Sequence, residues 1–133
     1  MSGESRAHTN LVENLIDAVE SRHKHLRGFT MFADHHSFGN DRPPMIGGFT
    51  PDLFASDVPE SFRIIGEAKT SLDLDNERTH FQIRAFLEHL SLRPNGMFYL
   101  AVPLFAGPRA RYLVKSCLKS DGTKVITEVL TFL

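Results

Sequence analysis

The chain has a single cysteine, no tryptophan and no excess of either charge: 15 Lys and Arg stand against 16 Asp and Glu, a formal net charge of −1. One cysteine excludes an internal disulfide and a thiolate zinc site. Cys117 falls on the apolar face of an expected helix, as a small core residue rather than a nucleophile. The neutral balance gives no global attraction to nucleic acid, so DNA binding has to rest on local basic patches, metal ions or a dimer. No apolar run approaches the ~20 residues that span a bilayer. The opening Met1-Ser2-Gly3-Glu4-Ser5-Arg6 lacks the hydrophobic stretch of a signal peptide. The expectation is a cytoplasmic protein without membrane contact. Also missing are a Gly-rich phosphate loop, a dinucleotide-binding fingerprint and a paired Ser-His or Cys-His signal, which leaves little behind a small-molecule enzyme. There is no repeat, low-complexity segment or linker, and 133 residues are one domain by length, residues 1–133.

What the chain does have is a pair of short strand-like segments, Gly48 to Ala55 and Phe62 to Thr70, rich in β-branched and aromatic residues and bounded by Pro, Gly, Asp and Ser. Strand alternation puts Ile65, Glu67 and Lys69 on one face and Ile64, Gly66 and Ala68 on the other. A hairpin through the turn-rich residues Ala55 to Ser61 returns Asp52 to the neighbourhood of Glu67. Two carboxylates and a lysine then converge. Hard oxygen ligands of this kind hold one or two Mg²⁺ ions, which polarise a phosphate and lower the pKa of a bound water, while Lys69 can orient that water or offset developing charge. The bland alternative is that Pro51-Asp52 opens an ordinary turn and that Glu67 and Lys69 are a solvated pair on an open sheet face. Against it, Glu67 follows the apolar run Ile64-Ile65-Gly66, the mark of an interior strand.

Around this centre the periodicity predicts a helix from about Thr9 to Leu26, with Thr9 or Asn10 as N-cap and Leu11, Val12, Leu15, Ile16 and Val19 as its buried stripe. Glu13 and Glu20 border that stripe. Gly28 breaks the helix, and Phe29 to Ala33 reads as a first strand. His35 to Pro44 reads as a loop in which the adjacent His35 and His36 point opposite ways, close to substrate rather than metal ligands. A second helix, about Glu77 to Leu90, buries Thr79, Ile83, Phe86, Leu87 and Leu90; Arg78 and Gln82 flank that stripe one turn apart, and Phe81 projects from the other side as a candidate protein contact. Met97 to Pro103 is a continuous apolar run, a strand buried on both faces and reached by a crossover, so the sheet is expected to be mixed. Gly107-Pro108 opens a third helix with a stripe of Ala110, Leu113, Val114, Cys117 and Leu118, ended by Asp121-Gly122. Its Arg111, Lys115 and Lys119 form the best basic face in the chain, either solvated surface or a DNA contact. Lys124 to Leu133 reads as a last strand that pairs at a sheet edge or across a dimer.

Pro51-Asp52 and Glu67-Ala68-Lys69, in this order of elements, resemble the PD-(D/E)xK nuclease superfamily, which includes many restriction enzymes and the Holliday-junction resolvases of archaea. The resemblance covers residues 9 to 104 and implies an α/β, restriction-endonuclease-like αβββαβ core, a central mixed sheet flanked by helices, here with an added C-terminal helix and strand. It implies a Mg²⁺-dependent (or Mn²⁺-dependent) endonuclease hydrolysing phosphodiester bonds in DNA. Asp52 and Glu67 would hold the metal, Lys69 would position the water, and Gln82 and Arg78 would orient phosphate or water. A first-helix glutamate, Glu13 with Glu20 as the other choice, would complete the site. Arg111, Lys115 and Lys119 are the further DNA-binding candidates. A bare core of this size is similar to the small resolvases, which act as homodimers so that two sites reach two strands; without a DNA-recognition domain, a targeting partner protein is a further expectation. The competing expectation is a catalytically silent nucleic-acid-binding or assembly subunit of the same fold, favoured by the neutral charge and by Phe81.

Overall fold

The computed structural model describes residues 5–58, 60–121 and 124–133, without the side chains of 119–121. Lys119 of the basic face, Gly122 of the helix stop, Pro59 of the hairpin and the opening residues 1–4 therefore lie outside what is described. Among the described residues three helices and five strands follow in the order α1 (Arg6–His23), β1 (Thr30–Ala33), β2 (Leu53–Ser56), β3 (Arg63–Ala68), α2 (Glu77–Ser91), β4 (Gly96–Pro103), α3 (Gly107–Asp121) and β5 (Ile126–Phe132). The strands form one mixed sheet in chain order: β1, β2 and β3 are antiparallel, and β4 and β5 run parallel to β3. No helix among the described residues is long and apolar enough to cross a membrane.

Strand alternation divides the core into two layers. Ile65, Phe98, Leu100 and Val102 face α2 and α3, packing on Ile83, Phe86, Leu87, Ala110 and Val114. Ile64, Ala68, Tyr99, Ala101 and Leu130 face α1 and its stripe Leu11, Val12, Leu15, Ile16 and Val19. α1 lies close because β3 carries glycine beneath it: a Cβ on Gly66 would stand 3.0 Å from Leu15 Cδ2 and 3.3 Å from Leu53 Cβ.

Several boundaries depart from the sequence expectation, each for a local reason. α1 begins at Arg6, three residues early, because Ser5 supplies the cap: its side chain accepts from the His8 amide at 3.1 Å. Thr9, expected at the cap, instead donates its hydroxyl to the Ser5 carbonyl. The helix ends at His23 rather than Leu26. β2 begins at Leu53 rather than Gly48, since Gly47 and Gly48 adopt φ of 60° and 87° and turn the chain so tightly that Ile46 and Phe49 exchange backbone hydrogen bonds. In the loop after β1, His35 and His36 do not point apart. A short 3₁₀ turn over His36–Phe38 brings their rings to 4.2 Å between centroids.

Candidate functional site

The β2–β3 register pairs Leu53 with Gly66, so the residues just outside, Asp52 and Glu67, stand opposite each other at the C-terminal end of β3. Each carboxylate is clamped by the other's strand. The Asp52 amide donates to Glu67 Oε1 at 3.0 Å, and the Ala68 amide donates to Asp52 Oδ2 at 2.8 Å. The Asp34 amide donates to the Asp52 carbonyl at 2.9 Å, tying the end of β1 to the same corner. Both acids are buried, at 6% and 4% exposure. Burial, reinforced by the charge of Asp52, pushes the Glu67 carboxyl up to about 8, against which the Lys69 ammonium acts only in part.

Lys69 follows the last residue of β3. Its Nζ lies 3.3 Å from Glu67 Oε2 and donates to Gln82 Oε1 at 2.6 Å. Gln82, buried in the first turns of α2, spends its carbonyl on Lys69, and this leaves its amide N–H groups as the donors it has for another partner. Asn76 fixes the start of that helix by accepting from the Thr79 amide at 2.8 Å. Asp52, Glu67, Lys69 and Gln82 are thus one connected cluster built from β2, β3 and α2.

His8 also enters, with Nε2 3.4 Å from Asp52 Oδ2. Sequence reasoning missed it because it placed the helix start at Thr9. The signal was present in the spacing, since 8, 11, 12 and 15 recur on one helical face.

The remaining candidates stand elsewhere. Glu13 is half exposed and accepts from His35 Nε2 at 2.9 Å, while His35 Nδ1 accepts from the Ser37 amide at 3.1 Å. Glu20 is exposed. Among the described residues, no group of three or more His, Cys, Asp or Glu side chains is placed to hold a metal ion, so Asp52, Glu67 and Glu13 do not form a three-ligand set. The Arg78 guanidinium lies over the Phe49 ring, 5.3 Å from its centroid. Arg111 and Lys115 line a groove of about 430 Å³ between α3 and β5. β5 is two strand spacings, roughly 10 Å, beyond β3. Phe81 is 56% exposed.

The donor set suits a hard divalent cation. Mg²⁺ keeps several waters and uses only one or two carboxylates, which Asp52 and Glu67 supply. The buried Glu67 carboxyl, raised chiefly by burial and then by Asp52, must give up its proton to take a cation, so metal binding there competes with protons and strengthens as pH rises. No protein-family model, curated protein or solved structure matches the chain.

Proposed function

We propose that this chain is a metal-dependent endonuclease of the PD-(D/E)xK kind, cutting phosphodiester bonds in DNA at the cluster of Asp52, Glu67, Lys69 and Gln82. The observation that carries this is the interlocked pair of buried carboxylates, with a lysine two residues after the second acid and directed at it. A salt bridge serving stability alone gains little from two mutually repelling acids sharing one buried corner. The element order and the antiparallel-then-parallel sheet are consistent with the αβββαβ core that the resemblance implies.

In this reading Asp52 and Glu67 hold Mg²⁺ or Mn²⁺, which when bound polarises the phosphate and acidifies a water. The clamping amides of Asp52 and Ala68 fix both carboxylates in advance, so little freedom is lost when substrate arrives. Lys69, restrained between Glu67 and Gln82, offers the cationic N–H donors that orient the attacking water and offset the growing charge on the phosphate. The Gln82 amide N–H groups provide a neutral donor beside it. His8 holds Asp52 from the α1 side.

The test is cleavage of supercoiled plasmid and of a synthetic four-way junction with Mg²⁺ or Mn²⁺, comparing wild type with Glu67→Ala and Lys69→Ala. Metal-dependent cutting lost in both folded variants supports the proposal; cutting that survives Glu67→Ala, after removal of contaminating nucleases, overturns it. The exposed Phe81 favours a second reading, a silent assembly subunit of the same fold. In that case neither metal cuts DNA or raises the melting temperature.

A further inference from the structure

β5 is the outermost strand of the sheet, and β4 is its only strand partner among the described residues. Open edges are commonly blunted by shortness, proline, lysine or a bulge. The opposite edge, β1, follows that rule with four residues. β5 does not. It runs seven residues in unbroken register with β4, from Met97↔Ile126 to Pro103↔Phe132, and contains neither proline nor lysine. Ile126 is 60% exposed at its start. α1 and α3 pack on its two faces, and among the described residues no strand pairs with its outer edge.

The sequence of β5 says what fits there. Ile126-Thr127-Glu128-Val129-Leu130-Thr131-Phe132 is close to symmetric about Val129. Antiparallel pairing of the strand with itself sets Val129 against Val129, Thr127 against Thr131 and Ile126 against Phe132, with Glu128 against Leu130. β-Branched residues against aromatics and threonine against threonine are among the favoured cross-strand pairs. The faces also agree. Leu130 and Phe132 belong to the α1 layer, and Glu128 ion-pairs with Arg22 of α1; Val129 belongs to the α3 layer, and Thr131 lies against Gly107. Residues paired about Val129 therefore share a face, as an antiparallel ladder requires. A foreign strand would need no such symmetry.

We propose that β5 is an interface strand along which two copies of this chain pair antiparallel, about a two-fold axis at Val129, joining their sheets into one. The α3–β5 groove of each copy, with the apolar Val114, Leu118 and Val129 between Arg111 and Lys115, then borders the axis. This names the strand along which two copies pair, which the resolvase resemblance does not. The pairing directs the C-terminal ends of the two β3 strands in opposite directions, and because Glu67 is in register with Leu100 and through it with Val129, the two carboxylate clusters stand level with the axis, each two strands in from its β5. It stands independently of the proposed activity, because it uses no residue of that cluster.

Sedimentation equilibrium of the full chain tests it, together with cysteine cross-linking under mild oxidation. Opposed residues in an antiparallel pair have Cα atoms about 4.5–5.5 Å apart, within disulfide reach, and the native Cys117 is buried. The expected results are a dimer for wild type, a folded monomer for Ile126→Lys/Thr127→Lys, and a covalent dimer for Val129→Cys. Thr127→Cys alone should not link, whereas a mixture of Thr127→Cys and Thr131→Cys should. A monomeric wild type, a dimer whose Val129→Cys does not link, or efficient self-linking of Thr127→Cys overturns the proposal. If the double-lysine variant fails to fold, the cross-linking pattern alone decides.

Discussion

Replacing Glu67 by glutamine should stabilise the protein at alkaline pH and, on the proposed mechanism, abolish metal-dependent cleavage. The folded-state carboxyl is raised from an ordinary 4.5 to about 8, chiefly by burial and then by Asp52. Between those values the folded chain holds a proton that the unfolded chain has lost, so wild-type stability falls as pH rises through that window. At 1.36 kcal/mol per pH unit the ceiling on that loss is on the order of 5 kcal/mol. Glutamine stays neutral in both states and escapes it. It keeps the Oε1 acceptor for the Asp52 amide, but turns an N–H₂ toward Lys69, which takes back on the order of 1 kcal/mol. The expected outcome is similar stability for the two proteins near pH 4.5 and a glutamine variant more stable by a few kcal/mol at pH 8.5. Urea unfolding at the two pH values, without divalent metal, measures it. A variant that gains nothing on going from pH 4.5 to 8.5 would refute the argument that Glu67 is held protonated.

Three further outcomes follow from the same geometry. Asp52→Asn keeps an acceptor for the Ala68 amide but removes a charge, so the stabilisation by Mg²⁺ or Mn²⁺, about 2.7 kcal/mol at a hundredfold excess over Kd for wild type and read as a rise in melting temperature, should vanish in a folded variant. Lys69→Ala should lower the kcat of the proposed cleavage by roughly 10²- to 10³-fold, the usual scale for losing one donor that stabilises charge in the transition state; it should also push Glu67 protonation to higher pH, because the lysine charge opposes that shift. Leu15→Ala, at a fully buried position against Gly66, should cost about 2–5 kcal/mol by chemical denaturation without changing metal affinity.

The parts of this chain that repeat with a fixed period were legible. The α1 stripe from Leu11 to Val19 is buried as the 3.6-residue spacing requires, and Met97 to Val102 packs against both helix layers as its unbroken apolar run requires. Asp52 and Glu67 could be paired in advance because a hairpin brings together residues close in sequence. Contacts that depend on exact chain direction were not legible. Ser5, Thr9 and Asn10 are all capable caps, and choosing between them decided whether His8 lay on the helix facing Asp52. Glu13 meets His35 across 22 positions of sequence, through a 3₁₀ turn that no spacing announced. Phe49, expected within a strand, is turned out by Gly47 and Gly48 toward Phe86 and Arg78, which explains why Arg78 lies over that ring.

The central claim is that Asp52 and Glu67 together hold one divalent cation. Calorimetric titration of the wild-type protein with Mn²⁺ at pH 7, in two buffers of different ionisation enthalpy, tests it most directly. Burial and the Asp52 charge raise the Glu67 carboxyl well above its ordinary range, so a cation binding there at pH 7 has to displace its proton. Binding at one site with release of close to one proton, fading by pH 9 and lost in Asp52→Asn, is the outcome expected; no binding, or binding that Asp52→Asn leaves unchanged, would contradict it.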